Sequence, residues 1–163
     1  MGLPEGITPV ADFQLDRYLG RWYEIARLDH SFERQLTHVS AQYSRRADGG
    51  VRVINRGYHA VDQEWRVAEG RAYPVESVDV GYFKVSFFGP FYGSYVIFEL
   101  DKKDYTYAYV TSSDRDWLWF LSRTPTISAA ARQQFVDQAA KSGFAVDELI
   151  FVDQSGQPAG GPR

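Results

Sequence analysis

The sequence predicts an all-β protein: an eight-stranded antiparallel up-and-down β-barrel with one C-terminal α-helix packed outside. Three observations predict it. Short strand-like segments recur from residue 21 to residue 122, each closed by turn residues. Aromatic residues make up 16% of the 163 residues, a composition suited to pleated, half-buried surfaces. A single helix-period segment follows the last of these strands. One helix cannot cover both faces of a flat eight-stranded sheet, whereas closure buries one face within the sheet itself.

Residues 1–12 are rich in Pro and Gly and are expected as a loosely held lead-in to a single domain over 13–154. Residues 21–29 alternate as a first strand, and His30 to Leu36 breaks the pattern as a longer loop. Residues 37–46 form a second strand with Val39, Ala41 and Tyr43 on one parity. Ala47-Asp48-Gly49-Gly50 is a tight-turn sequence leading into a strand over 51–60. Strands over 64–73, 80–88, 93–100, 105–112 and 116–122 follow. Their breaks hold Asp62-Gln63, Pro74, Gly89-Pro90, Asp101 to Asp104 and Ser112-Ser113-Asp114. From Ile127 to Ser142 the period changes, with Ile127, Ala131, Phe135 and Ala139 at i, i+4 spacing. Thr126 or Ser128 caps this amphipathic helix, and Gly143 stops it. Residues 144–152 return as a short strand, and 155–163 are expected as a disordered tail.

Composition removes several functions. A net charge of −3 gives no electrostatic case for nucleic acid. The chain has no cysteine, which excludes disulfides, thiolate catalysis and cysteine metal sites together. His30, His38 and His59 lack metal-ligand spacing, so neither metal nor cofactor is predicted. No Gly-x-Ser-x-Gly elbow, phosphate-cradling loop or Cys/His pair occurs, and Asp114 and Asp116 fall in a turn. No apolar run is long enough for a transmembrane helix. Met1 to Gly6 has neither a basic n-region nor an apolar h-region, which leaves a cytosolic protein or the processed part of a precursor.

Gly20-Arg21-Trp22 opens the first strand, and Arg123 follows the Trp-rich last one. Glycine beside a large ring suggests close backbone packing, and a cation over that ring would join the two ends of the sheet. Gly20, Trp22 and Arg123 are therefore read as structural closure of the barrel base, in preference to a ligand contact.

These residues resemble the lipocalin family. Gly20-Arg21-Trp22 looks like its Gly-x-Trp motif, and Arg123 like its C-terminal arginine. Asp101-Lys102-Lys103-Asp104-Tyr105 is a loose version of its Thr-Asp-Tyr motif. Arg21 to Arg27, Lys84 to Gly93 and Leu121 to Pro125 look like the bacterial outer-membrane lipoprotein branch, which is similar to apolipoprotein D. The resemblance implies binding, storage or transport of a fatty acid or lysophospholipid, at the outer membrane or in the periplasm. It also implies anchoring through an N-terminal lipidated cysteine, a residue this chain does not contain.

Six residues are expected to face the lumen and line the ligand: Ala26, Tyr43, Asn55, Phe87, Tyr107 and Trp119. The hydroxyls of Tyr43 and Tyr107 would meet a headgroup near the mouth. An acyl chain gains ~0.8 kcal/mol per buried CH₂, so roughly ten methylenes offset the cost of association. Glu24 shares the parity of Trp22 and is read as either a proton-linked gate or, preferably, half of a local pair with an arginine. His30 is expected in the loop over the open end, as a solvated residue in preference to a headgroup contact. Two other functions fit the same barrel: an enzyme acting on a hydrophobic small molecule, and an interaction module built on an exposed Phe88 to Tyr92 loop.

Overall fold

In the computed structural model, which describes residues 2–156 and 158–160, the chain forms one antiparallel sheet. Its strands are β1 (Gly20–Leu28), β2 (Leu36–Arg45), β3 (Val51–His59), β4 (Glu64–Pro74), β5 (Tyr82–Phe88), β6 (Phe91–Leu100), β7 (Tyr107–Thr111), β8 (Leu118–Ser122) and β9 (Leu149–Phe151). β1 pairs with both β2 and β8, which closes β1 to β8 into a barrel, and β9 adds to the far half of β1. The expected final strand is shorter than its sequence suggested, because a 3₁₀ turn takes Val146–Glu148.

The turn over Ala47 to Gly50 forms as its sequence dictates. Asp48 Oδ1 accepts from the Gly50 amide at 3.0 Å, and Gly49 adopts φ +89°. The helix is α2 (Ala129–Lys141), and of the two candidate caps it uses Ser128, whose hydroxyl accepts from the Ala131 amide at 3.0 Å. Gly143 at φ +88° ends the segment. α2 buries Phe135 and Ala139 on the outside of the barrel, where Phe135 stacks on Phe120 at 4.6 Å. Two separate apolar cores result, one inside the barrel and one between its outer face and α2.

Two terminal expectations change. Residues 2–13 are packed against the barrel instead of loosely held: Val10 donates to the Ile97 carbonyl and accepts from the Gly81 amide, and Ile7 and Phe13 are buried. The expected disordered tail includes residues 157 and 161–163, which lie outside the described residues; of the rest, Ser155 accepts from His38 and Ala159 from Trp65.

A four-residue helix, α1 (Leu15–Tyr18), was not expected from the sequence. It has less than two turns and no apolar period to reveal it. Phe13 just before it and Tyr18 at its end enter the barrel core, so this segment acts as a floor.

Candidate functional site

Arg123 lies over the Trp22 ring, 3.9 Å from its centroid, and Trp22 is fully buried. The guanidinium donates to the carbonyls of Arg17 (2.7 Å), Leu19 (3.0 Å), Arg21 (3.0 Å) and Tyr105 (3.1 Å). A Cβ on Gly20, whose φ is +102°, would sit 3.4 Å from Arg123 Nη1. Arg17 adds a second clamp, lying over Tyr105 and donating to the carbonyls of Lys102 and Lys103. The loose Asp101 to Tyr105 motif thus belongs to the floor, with Asp101 accepting from the Thr106 amide and hydroxyl.

Above the floor stands a tyrosine cluster. Tyr95 meets Tyr18 at 2.7 Å and Tyr43 at 2.9 Å through their hydroxyls, and burial raises all three phenols. Tyr43 faces inward, but it pairs with Gly20 at the start of β1 and therefore lies near the floor, not at the mouth. Its hydroxyl is already engaged by Tyr95. Tyr95 is a residue that the sequence reading missed, although its parity with Ile97 could have marked it.

The inward faces change from bottom to top. Val51, Val53, Ala72 and Phe83 are buried, whereas Asn55, Ala68, Val85 and Phe87 are half-buried or exposed on the same faces of the same strands. Side chains fill the lower barrel, and the upper barrel is an open cup. Asn55 stands on the inward parity of β3 opposite Ala68, and Phe87 lies against Gly70 at the cup wall. Trp119 also faces inward, packed on the inner core.

Ala26 and Tyr107 do not face the lumen. Between Glu24 and Ala26 the pairing of β1 with β8 shifts by one residue, so Ile25 is an extra residue on that edge. Trp22 and Glu24 point inward below the bulge. Above it Ala26 and Leu28 turn outward to α2, and Arg27 turns in. Tyr107 lies tilted against Tyr109 in the outer core, because Ala108 and Val110 are the inward residues of β7. Its hydroxyl is not at the mouth. Aromatic parity misled here since both faces of β7 are buried, one in the barrel and one under α2.

The bulge aims a charged group at the entrance. Arg27 is 2% exposed and donates to Glu24 Oε2 (3.1 Å), Asp29 Oδ1 (3.0 Å) and the carbonyls of Glu33 (2.9 Å) and Leu36 (3.2 Å). Glu24, 4% exposed, thus pairs locally with an arginine. Glu33 lies on the loop before β2 and accepts from His30 Nε2 at 2.6 Å and Trp119 Nε1 at 2.7 Å. Burial and the neighbouring Glu33 charge raise Glu24 well above the usual carboxyl range. Burial opposes ionisation of Glu33 as well, but its hydrogen bonds from His30 and Trp119 outweigh that and hold it low. His30 is not a solvated loop residue. Its ring lies 4.6 Å from Trp117 and 5.7 Å from Trp119. Arg27 and Glu33 also escaped the sequence reading; the loop has no periodicity to signal that Glu33 folds inward.

The rim of the cup carries apolar residues. Phe88 and Phe91, at the tip of the β5–β6 hairpin, are 69% and 77% exposed, and Phe32 is exposed on the β1–β2 loop. A separate cleft of about 360 Å³, lined by Ile25, Ile127, Ser128, Arg132 and Phe151, lies outside the barrel beside α2. Arg132 lies over Phe151 there at 3.6 Å. Among the described residues, no group of His, Asp or Glu is placed to hold a metal ion.

A barrel plugged at one end by an arginine on a tryptophan, and open at the other into an aromatic cup, defines a binding protein for small hydrophobic molecules. The chain belongs to the lipocalin family: the model of the lipocalin-like domain matches residues 13–154. It is 53% identical over 154 residues to the outer membrane lipoprotein Blc of Vibrio cholerae, covering 94% of this chain and 90% of that one. It is 50% identical over 153 residues to the protein of the same name from Escherichia coli K12, covering 94% and 86%. Bovine apolipoprotein D is 28% identical over 153 residues, covering 90% and 80%. Among solved structures, insecticyanin from the tobacco hornworm superposes with a TM-score of 0.72 at 21% identity, covering 96% of this chain and 89% of that one, which supports the fold.

Proposed function

We propose that this protein binds and carries a fatty acid or lysophospholipid in the upper barrel, in the service of bacterial membrane maintenance, at the outer membrane or in the periplasm. The observation that carries the reading is the change along the inward faces, from a packed floor to a cup whose lining is still accessible. Asn55, Phe87 and Trp119 line that cup, and Gly20, Trp22 and Arg123 seal it below. A single acyl chain suits this shape because apolar walls recover ~0.8 kcal/mol per methylene. The outer membrane lipoproteins to which the chain is half identical support the location.

The test is native mass spectrometry of the delipidated protein after re-addition of oleate or 1-oleoyl-lysophosphatidylethanolamine. One bound lipid per chain is expected at micromolar concentration. Ala68→Trp should abolish binding while leaving the melting temperature nearly unchanged, since Ala68 is an exposed inward residue outside the packed core. Retention of neither lipid by the unaltered chain refutes the reading.

A further inference from the structure

Glu33 is a loop residue whose carboxylate is turned inward and whose side chain is only 13% exposed. Burying a carboxylate is costly unless it is fully partnered. Here two donors from two parts of the chain converge on it. His30 comes from the same loop and Trp119 from the inner face of β8. Arg27 completes the surroundings, held by Glu24 Oε2 and by the backbone carbonyl of Glu33 itself. Trp119 sits on a strand and forms part of the barrel wall. Glu33 is held only by its loop. A donor fixed on the wall, filled by an anion carried on a loop, stands at the entrance to the cup.

We propose that Glu33 is an internal stand-in for the anionic head of the ligand, and that a lipid carboxylate or phosphate displaces it from Trp119. This rests on the acyl-carrier reading above. The chain of the lipid would run from Trp119 past Phe87 into the cup. The exchange trades one buried anion for another, so no donor is left unpaired at the end of it. An uncharged head cannot make the same trade and leaves Trp119 with a poorer acceptor. The wall therefore selects single-chain lipids with an acidic head, and competition from Glu33 keeps their binding reversible.

The test measures three ligands of one chain length by titration calorimetry on delipidated protein: oleate, 1-oleoyl-lysophosphatidate and oleyl alcohol. Glu33→Ala should tighten at least one of the two anions about tenfold, the scale of one charge-assisted hydrogen bond released to the ligand. The alcohol should shift by less than about twofold, because it gains no ionic partner. Adding Trp119→Phe should erase the gain. The larger gain identifies the source of the anion, carboxylate or phosphate. If Glu33→Ala does not fold, Glu33→Gln is read in its place, with the same order of effects at smaller size. Equal tightening of all three ligands means only a loosened loop and overturns the proposal. So does unchanged anion affinity, and in both cases acyl binding itself stands. Binding of none of the three by the unaltered protein overturns both readings together.

Discussion

Replacing Arg123 by alanine removes the plug and leaves the cup. The side chain makes one contact with the Trp22 ring at 3.9 Å and four hydrogen bonds to backbone carbonyls at 2.7–3.1 Å. A cation over a largely desolvated indole contributes about 1–2 kcal/mol. The four carbonyls lie at the barrel end, where water can replace part of what is lost, so each bond is taken at the low end of its range, about 0.5 kcal/mol. The sum is about 3–4 kcal/mol. For a domain of this size that corresponds to a fall in melting temperature of roughly 6–16 °C. Differential scanning calorimetry reads the fall, and calorimetric titration with oleate reads the binding. Affinity should change by less than about threefold at a temperature where the variant is folded, because the cup lies at the opposite end. Arg123→Lys should lie between, since an ammonium keeps the charge but not the fork that reaches several carbonyls. An unchanged melting temperature with abolished binding would refute the structural assignment and make Arg123 a ligand contact.

Other outcomes follow from the same geometry. Glu24 has a raised pKa when folded, so the folded state binds more protons than the unfolded state above the usual carboxyl value; stability should fall as pH rises from about 4.5. Glu33, held low in the folded state, is ionised in both states between pH 6 and pH 8 and adds no slope there, so Glu24→Gln should flatten the profile over that interval; equal unfolding free energies of the unaltered protein in urea at pH 6 and pH 8 would contradict this. Phe135→Ala removes a ring stacked on Phe120 at 4.6 Å and edge-on to Tyr109 at 4.9 Å. It should cost about 3–5 kcal/mol in chemical denaturation, with lipid stoichiometry retained by whatever fraction is folded. Ser128→Ala deletes the hydroxyl that caps α2 and should cost about 1 kcal/mol in the same assay, with Ser128→Asp restoring it.

Local chemistry was the most legible part of the chain. Turn residues, alternation and the change to an i, i+4 period located the eight barrel strands and α2 to within a few residues, because these signals act over short spans of backbone. The plug was legible for a different reason. A glycine, a tryptophan and a lone arginine at the two ends of a strand series are few enough to be matched with one another. Ala26 and Tyr107 were misplaced because inside and outside are set by register, and register depends on the partner strand. The bulge at Ile25 leaves no mark in β1 itself; it exists only in the way β1 meets β8.

The sequence by itself therefore determined the class of this protein. Its closure into a barrel, its single outer helix and its sealed base follow from patterns that the backbone must obey wherever the chain goes. The tertiary structure alone decided what stands at the entrance. Glu24, Arg27, Glu33 and Trp119 are spread over nearly a hundred residues, and no spacing relates them. They meet because one extra residue in β1 turns an arginine inward and a loop folds a carboxylate down to it. Long-range electrostatic partnership of this kind is a property of distance in the folded chain, and sequence order does not encode it locally.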